Sequence, residues 1–125
     1  MSESKKENIL YVVSKGTEAP EIVSLAFMHA VGALTMEVAA KVVLMAQGVT
    51  LAQKGAAKQV HYGNLKPLEE LMADFFSLGG KLYLCTPCYK NRCFDEKTDL
   101  LEQAEPIAAA TYTQLLLDAN AVVNY

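Results

Sequence analysis

Runs of β-branched and aromatic residues alternate along this chain with longer stretches whose apolar positions fall at helical spacing. Ile9-Leu10-Tyr11-Val12-Val13 lacks polar alternation, the mark of a strand buried on both faces. It stops at Ser14-Lys15-Gly16-Thr17. Pro20 then stands where a first helical turn tolerates it, Glu18 and Glu21 suit the positive end of the dipole, and Val23, Phe27, Ala30 and Leu34 form one stripe. That predicts an amphipathic helix ending near Gly32 to Leu34. Val42 to Ala46 is a second buried strand, its start blurred by the helix-favouring residues Glu37 to Lys41.

Gln47-Gly48 ends that strand, and Val49 to Ala57 predicts a short helix before the polar connection Lys58 to Lys66, in which Val60 adds a brief strand. Pro67 opens the clearest helix: Glu69 and Glu70 lie in its first turn, Leu68, Leu71, Met72, Phe75 and Phe76 share a face, and Gly79-Gly80 supplies the stop. A short strand, Leu82-Tyr83-Leu84, follows. Beyond a charged loop, Pro106 is expected to start a last helix with the stripe Ala108, Tyr112, Leu115 and Ala119. Asn120 is expected as a left-handed cap before the closing strand Ala121-Val122-Val123. The order β-α-β-α-β-α-β argues for a parallel sheet covered on both faces, with ligands at the carboxyl ends of the strands near the point where strand order reverses. Those ends carry Ser14 to Thr17, Gln47-Gly48 and the residues after Leu84.

Composition narrows the function classes. The 125 residues are 52% apolar and 20% charged, enough for one domain, expected over residues 9–125 after a polar, flexible tail at residues 1–8. A net charge of −3 without a basic stripe argues against nucleic acid as a partner. The tail lacks the apolar stretch of a secretory signal, and the longest apolar run, Val38 to Ala46, falls short of the roughly 20 residues that span a bilayer. No membrane partner is expected, and a cytoplasmic protein with reduced thiols is.

All three cysteines fall in one short segment, Cys85-Thr86-Pro87-Cys88-Tyr89-Lys90-Asn91-Arg92-Cys93, directly after the third strand. Buried structural cysteines do not need to cluster, so the grouping points to sulfur chemistry or metal binding. Cys85-x-x-Cys88 has the spacing of a zinc knuckle, with Cys93 or His61 as further donors, but no second knuckle exists. A thiolate at a strand's carboxyl end is instead favoured by the N–H groups of a following turn or helix and by Lys90 and Arg92. Cys85-x-Pro-Cys88 also has the form of dithiol oxidoreductases, yet it lies too late in the chain for a thioredoxin-like fold, and the one proline after it is expected in a helix.

The chain resembles the DsrE/DsrF-like family of sulfur-relay proteins over nearly its whole length. The resemblance runs from Ile9-Leu10-Tyr11-Val12-Val13 through Val43-Leu44-Met45-Ala46-Gln47-Gly48-Val49 and Gly79-Gly80-Lys81-Leu82-Tyr83-Leu84-Cys85 to Ala119-Asn120-Ala121-Val122-Val123-Asn124-Tyr125. It implies a small doubly wound, mainly parallel sheet of four to five strands with helices on both faces, flavodoxin-like in topology. It also implies a homotrimer or homohexamer that passes sulfane sulfur between protein thiols or from small sulfur compounds; no cofactor and no metal are expected. Cys85 takes the place of the family's persulfide-carrying cysteine, Cys88 that of the second cysteine of the YchN-like branch, and Arg92 the arginine of an Arg-Gly pair. Cys93 stands where that glycine would be, as a resolving thiol or only as a loss of backbone freedom. Cys85, Cys88 and Cys93 are thus the candidate catalytic residues, and Lys15, Gln47, Lys90 and Arg92 the candidates to hold the sulfur donor. The alternatives are a dithiol redox protein using Cys85 and Cys88, and an interaction subunit whose cysteines are structural or bind zinc.

Other polar residues read as structure. His29 lies beside the first helix's stripe and suits a core edge or an interface; His61 suits an exposed connection. Asp95, Glu96 and Asp99 suit a solvated loop and first helical turn. Ser14-Lys15-Gly16-Thr17 is too generic for a phosphate loop.

Overall fold

The computed structural model describes residues 7–125. Most of the expected N-terminal tail therefore lies outside the described residues, and the first strand opens at Asn8, one residue earlier than its apolar run. Five strands, β1 (Asn8–Val13), β2 (Ala39–Leu44), β3 (Lys81–Cys85), β4 (Ala104–Ile107) and β5 (Ala121–Asn124), form one sheet in the order β4-β3-β2-β1-β5. Every pairing is parallel. The helices are α1 (Pro20–Thr35), α2 (Leu68–Ser77), α3 (Thr86–Asn91) and α4 (Ala109–Asp118), with 3-10 turns at Ala46–Ala52 and Ala57–Gln59.

From β1 to β4 the chain steps across the sheet in one direction, which keeps α1 and α2 on one face; the return to β5 puts α4 on the other. The α1/α2 face buries Tyr11, Val13, Val42, Leu44, Leu82 and Leu84 against Val23, Phe27, Leu68, Met72 and Phe75. Phe27 and Phe75 meet edge to face with ring centroids 5.5 Å apart. The α4 face buries only Leu10, Val12, Val43, Ile107 and Leu115. The expected burial on both faces thus holds for β1 and β2, but the two layers differ in thickness.

Helix α2 ends as its Gly79-Gly80 signal predicts: Gly80 N–H donates to Phe75 O at 2.8 Å and Gly79 N–H to Phe76 O at 3.0 Å. Other local expectations are corrected. Pro106 does not open a helix; it sits in β4 opposite Leu84, and α4 begins at Ala109. Because β4 pairs only with β3 it is an edge strand, where a missing N–H is tolerated. Strand β2 spans Ala39–Leu44 and not Val42 to Ala46, because sheet pairing overrides the helical preference of its early residues. The expected helix over Val49 to Ala57 is the 3-10 turn Ala46–Ala52, and Val60 is a buried loop residue outside any strand. Asn120 is not in the left-handed region; its side-chain Oδ1 accepts the Asn8 N–H at 2.9 Å and its own N–H donates to Asn8 O at 2.8 Å, joining the starts of β5 and β1.

Candidate functional site

Strand β3 delivers Cys85 to the carboxyl edge of the sheet, and α3 starts at the next residue with Cys85 as its N-cap. Pro87 in the first turn has no N–H to leave unpaired and a φ suited to helix. Cys88 follows one turn after Cys85, so both thiols occupy the same end of α3. Thr86 Oγ1 donates to Ile107 O at 2.8 Å and ties the start of α3 to the end of β4.

The neighbouring strand end closes in through glycine. A Cβ on Gly48 would stand 2.2 Å from Val13 O, and one on Gly16 would stand 2.2 Å from Gln47 O, so the turn after β2 and the loop after β1 are packed backbone to backbone. Between Met45 and Gln47, Ala46 takes φ 51°, a left-handed conformation unusual for a residue with a side chain. Its N–H donates to Cys88 Sγ at 3.2 Å. Gln47 Oε1 accepts from Arg92 Nη2 at 2.7 Å and Nε at 3.2 Å, while Arg92 Nη1 donates to Cys88 O at 3.0 Å. Arg92 therefore links the last turn of α3 to the turn after β2.

Burial pushes the Cys85 thiol above its ordinary value, and a hydrogen bond with the Cys88 thiol pushes the same way. The Cys88 N–H and the Arg92 guanidinium pull it back without prevailing. The expected depression of Cys85 is thus reversed: desolvation outweighs the Cys88 N–H and the Arg92 guanidinium. Tyr89, fully buried on α3, is pushed up to about 12, first by burial and then by its hydrogen bond to Glu96.

Of the residues expected to form the site, Cys85, Cys88, Gln47 and Arg92 come together. Lys15 and Lys90 are exposed, and neither ammonium makes a hydrogen bond or salt bridge among the described residues. Cys93 is exposed beyond the far end of α3, about 9 Å of helix from Cys85. Its φ of 60° lies in the left-handed region that glycine adopts readily. His61 is exposed, and His29 bonds through Nδ1 to the Tyr125 hydroxyl at 2.7 Å. Among the described residues no three His, Cys, Asp or Glu side chains are grouped as metal ligands. Strand order reverses at β1 and β5, away from the cysteines; Ser14 donates N–H and Oγ–H to Tyr125 O there, at 3.1 and 2.9 Å.

Two parts of the site carry no residue-type signal. Ala46 acts through its backbone N–H, which any residue but proline supplies. On the α4 side of Cys85, Val43, Met45, Pro87, Ile107, Ala108, Ala109 and Tyr112 line a cavity of about 180 Å³. Its far wall follows only once Pro106 is placed in a strand.

Residues 7–125 match the model of the DsrE/DsrF-like family. The uncharacterized protein MJ0760 of Methanocaldococcus jannaschii is 31% identical over 117 residues, covering 94% of this chain; the chain spans 42% of that relative's length. Two solved structures share the fold. The ychN protein from E. coli superposes with a TM-score of 0.76 at 14% identity over 97% of this chain and 100% of that one. MTH1491 from Methanobacterium thermoautotrophicum, a protein of unknown function, gives 0.71 at 12% over 96% of this chain and 100% of its own.

Proposed function

The chain belongs to the DsrE/DsrF-like family, which is associated with sulfur relay, and on that premise we propose that it carries sulfane sulfur on Cys85 with Cys88 assisting. The observation that supports this most is the placement of Cys85 between β3 and α3, with a second thiol one turn on and Arg92 pulling towards the thiolate. The Cys85 thiolate attacks the outer sulfur of a persulfide, R–S–SH; the donor S–S bond breaks, R–S⁻ leaves and Cys85–S–SH remains. An acceptor thiolate takes the outer sulfur by the same exchange. Alternatively, the Cys88 thiolate attacks the inner sulfur of Cys85–S–SH, expels HS⁻ and closes a disulfide. Arg92, braced by Gln47, supplies the positive charge beside the reacting sulfurs, while Lys15 and Lys90 attract an anionic donor over a longer range.

The partners on this reading are sulfur donors and acceptors, proteins or small sulfur compounds, in a reducing compartment such as the cytoplasm. A homotrimer or homohexamer is part of the proposal. Leu117 is 74% exposed, and Val122 and Val123 leave apolar surface at the β5 edge. Light scattering on a sizing column tests this, and a monomer at all concentrations refutes it.

The placement of the two thiols one turn apart at the end of β3 also favours a second reading, a dithiol that cycles between reduced and disulfide forms. Mass spectrometry after incubation with polysulfide separates the two. The relay reading expects added sulfur that is lost in Cys85→Ala and kept, more slowly released, in Cys88→Ala. A Cys85–Cys88 disulfide as the sole product would select the redox reading.

A further inference from the structure

The Cys85 thiol borders two surroundings of opposite character. Towards α3 lie the second thiol, the Ala46 N–H and the Arg92–Gln47 pair. On the other side lies the cavity of about 180 Å³, whose walls expose carbon and sulfur almost exclusively. Its position follows from the fold: only α4 covers this face, and the helix begins at Ala109, which leaves a gap between Tyr112 and the ends of β2 and β3.

We propose that this cavity seats the organic part of the sulfur donor, so that the donor is an organic persulfide R–S–SH in which R is uncharged, apolar and about the size of a benzene ring. The inference rests on the reading of Cys85 as the sulfur-accepting thiolate and names the substrate class for it. Size sets the scale of the seated part: an apolar cavity of about 150 Å³ holds a benzene molecule. Chemistry sets the rest. A charged or strongly polar R would lose hydration against Val43, Met45, Pro87 and Ile107 and find nothing to bond there, whereas each buried carbon of an apolar R gains from leaving water. The one charge in the reaction develops on sulfur. With R in the cavity, the S–SH group lies at the cavity's Cys85 wall; the thiolate takes the outer sulfur, and R–S⁻ departs with the electron pair of the broken S–S bond.

The test uses stable surrogates that also react by exchange at sulfur, benzyl methanethiosulfonate for an apolar R and 2-sulfonatoethyl methanethiosulfonate for a charged one. Each leaves Cys85–S–S–R and releases methanesulfinate. In the Cys88→Ser chain the remaining thiols fall on separate tryptic peptides, because Lys90 and Arg92 lie between them. Exposed Cys93 is then the internal reference. The benzyl-to-sulfonatoethyl rate ratio at Cys85 is expected to exceed that at Cys93 by about tenfold or more, the factor that burial of two or three carbons provides. Ala109→Phe, a change at an exposed position that fills the cavity, is expected to bring the benzyl-to-sulfonatoethyl ratio at Cys85 down to that at Cys93. Equal ratios at the two cysteines overturn the proposal. So does a Cys85 that neither reagent reaches in the folded chain, since the cavity is then filled by a second copy. Polysulfide loading followed by mass spectrometry keeps the two claims apart: loading without benzyl selectivity defeats the cavity assignment alone, and selectivity without loading defeats the relay reading alone.

Discussion

One face of this sheet is packed by two helices and a 3-10 turn, the other by the single helix α4. On the first face Phe27, Leu44, Phe75 and Leu84 are wholly buried within a large cluster. On the second, burial is confined to Leu10, Val12, Val43, Ile107 and Leu115, and a cavity opens beside Cys85. Cys85 stands where the two meet, packed against the thick layer while lining the gap in the thin one. A thiol held this way has a rigid support behind it and an opening in front. The same burial that holds it also disfavours its charged form, so access and ionisation pull against each other.

The sharpest way to break this comparison is to remove one apolar side chain from each layer. Phe27→Ala is expected to destabilise the chain by about 3–5 kcal/mol and Leu115→Ala by about 2 kcal/mol, at the low end of its class, because the thin layer relaxes more easily into the space. Urea unfolding of the two variants measures the difference. Equal losses would mean that both layers are packed alike.

Gly48→Ala tests the junction between the layers' chemistry and the sheet. Its Cβ would press on Val13 O, so the turn after β2 must move, at a cost of about 1–3 kcal/mol. Ala46 and Gln47 move with it, and their contacts to Cys88 and Arg92 loosen. Release of sulfur through Cys88 is therefore expected to slow as stability falls. A stable variant with unchanged release would show that the Ala46 contact to sulfur has no part in that step.

Much of this arrangement was legible in the residues, and the parts that were not share a cause. Pattern finds helices whose side chains are sorted between core and water, as in α1 and α2, and strands that read as apolar runs, as in the first three. It fails at β4, where Ala104-Glu105-Pro106-Ile107 is too short and too mixed to read as a strand, and where proline is tolerated only because no further strand follows. That single misreading hides the cavity wall. The cysteine cluster and Arg92 stand out by residue type, whereas the Ala46 N–H and the sign of the Cys85 shift depend on tertiary approach that no local pattern records.

That shift makes the next prediction, on ionisation at the meeting point of the layers. Folding keeps Cys85 protonated to a higher pH than the unfolded chain does, so the stability it contributes is complete below the ordinary thiol value of about 8.5 and is lost as pH rises through the folded value. Alkylation follows the thiolate. At neutral pH Cys85 is expected to react with iodoacetamide several-fold more slowly than exposed Cys93, and its rate to keep rising, by about tenfold per pH unit, past the pH at which an ordinary thiol levels off. A Cys85 rate that levels off below pH 8 would show that Arg92 and the helix outweigh burial.

The smallest effect is expected farthest from that meeting point. Cys93 holds φ 60° at the end of α3, where its N–H donates to Lys90 O at 3.0 Å. Glycine takes that conformation freely, while its greater freedom in the unfolded chain offsets part of the gain, so Cys93→Gly is expected to stabilise the chain by about 1 kcal/mol or less. The exposed side chain makes no hydrogen bond among the described residues, and sulfur loading on Cys85 is expected to persist. Thermal unfolding and polysulfide loading of the same variant decide between the two roles open to Cys93. A gain in stability with loading and release intact makes Cys93 a glycine position occupied by cysteine; a loss of release at unchanged stability makes it the resolving thiol, and places the second half of the chemistry beyond the end of α3.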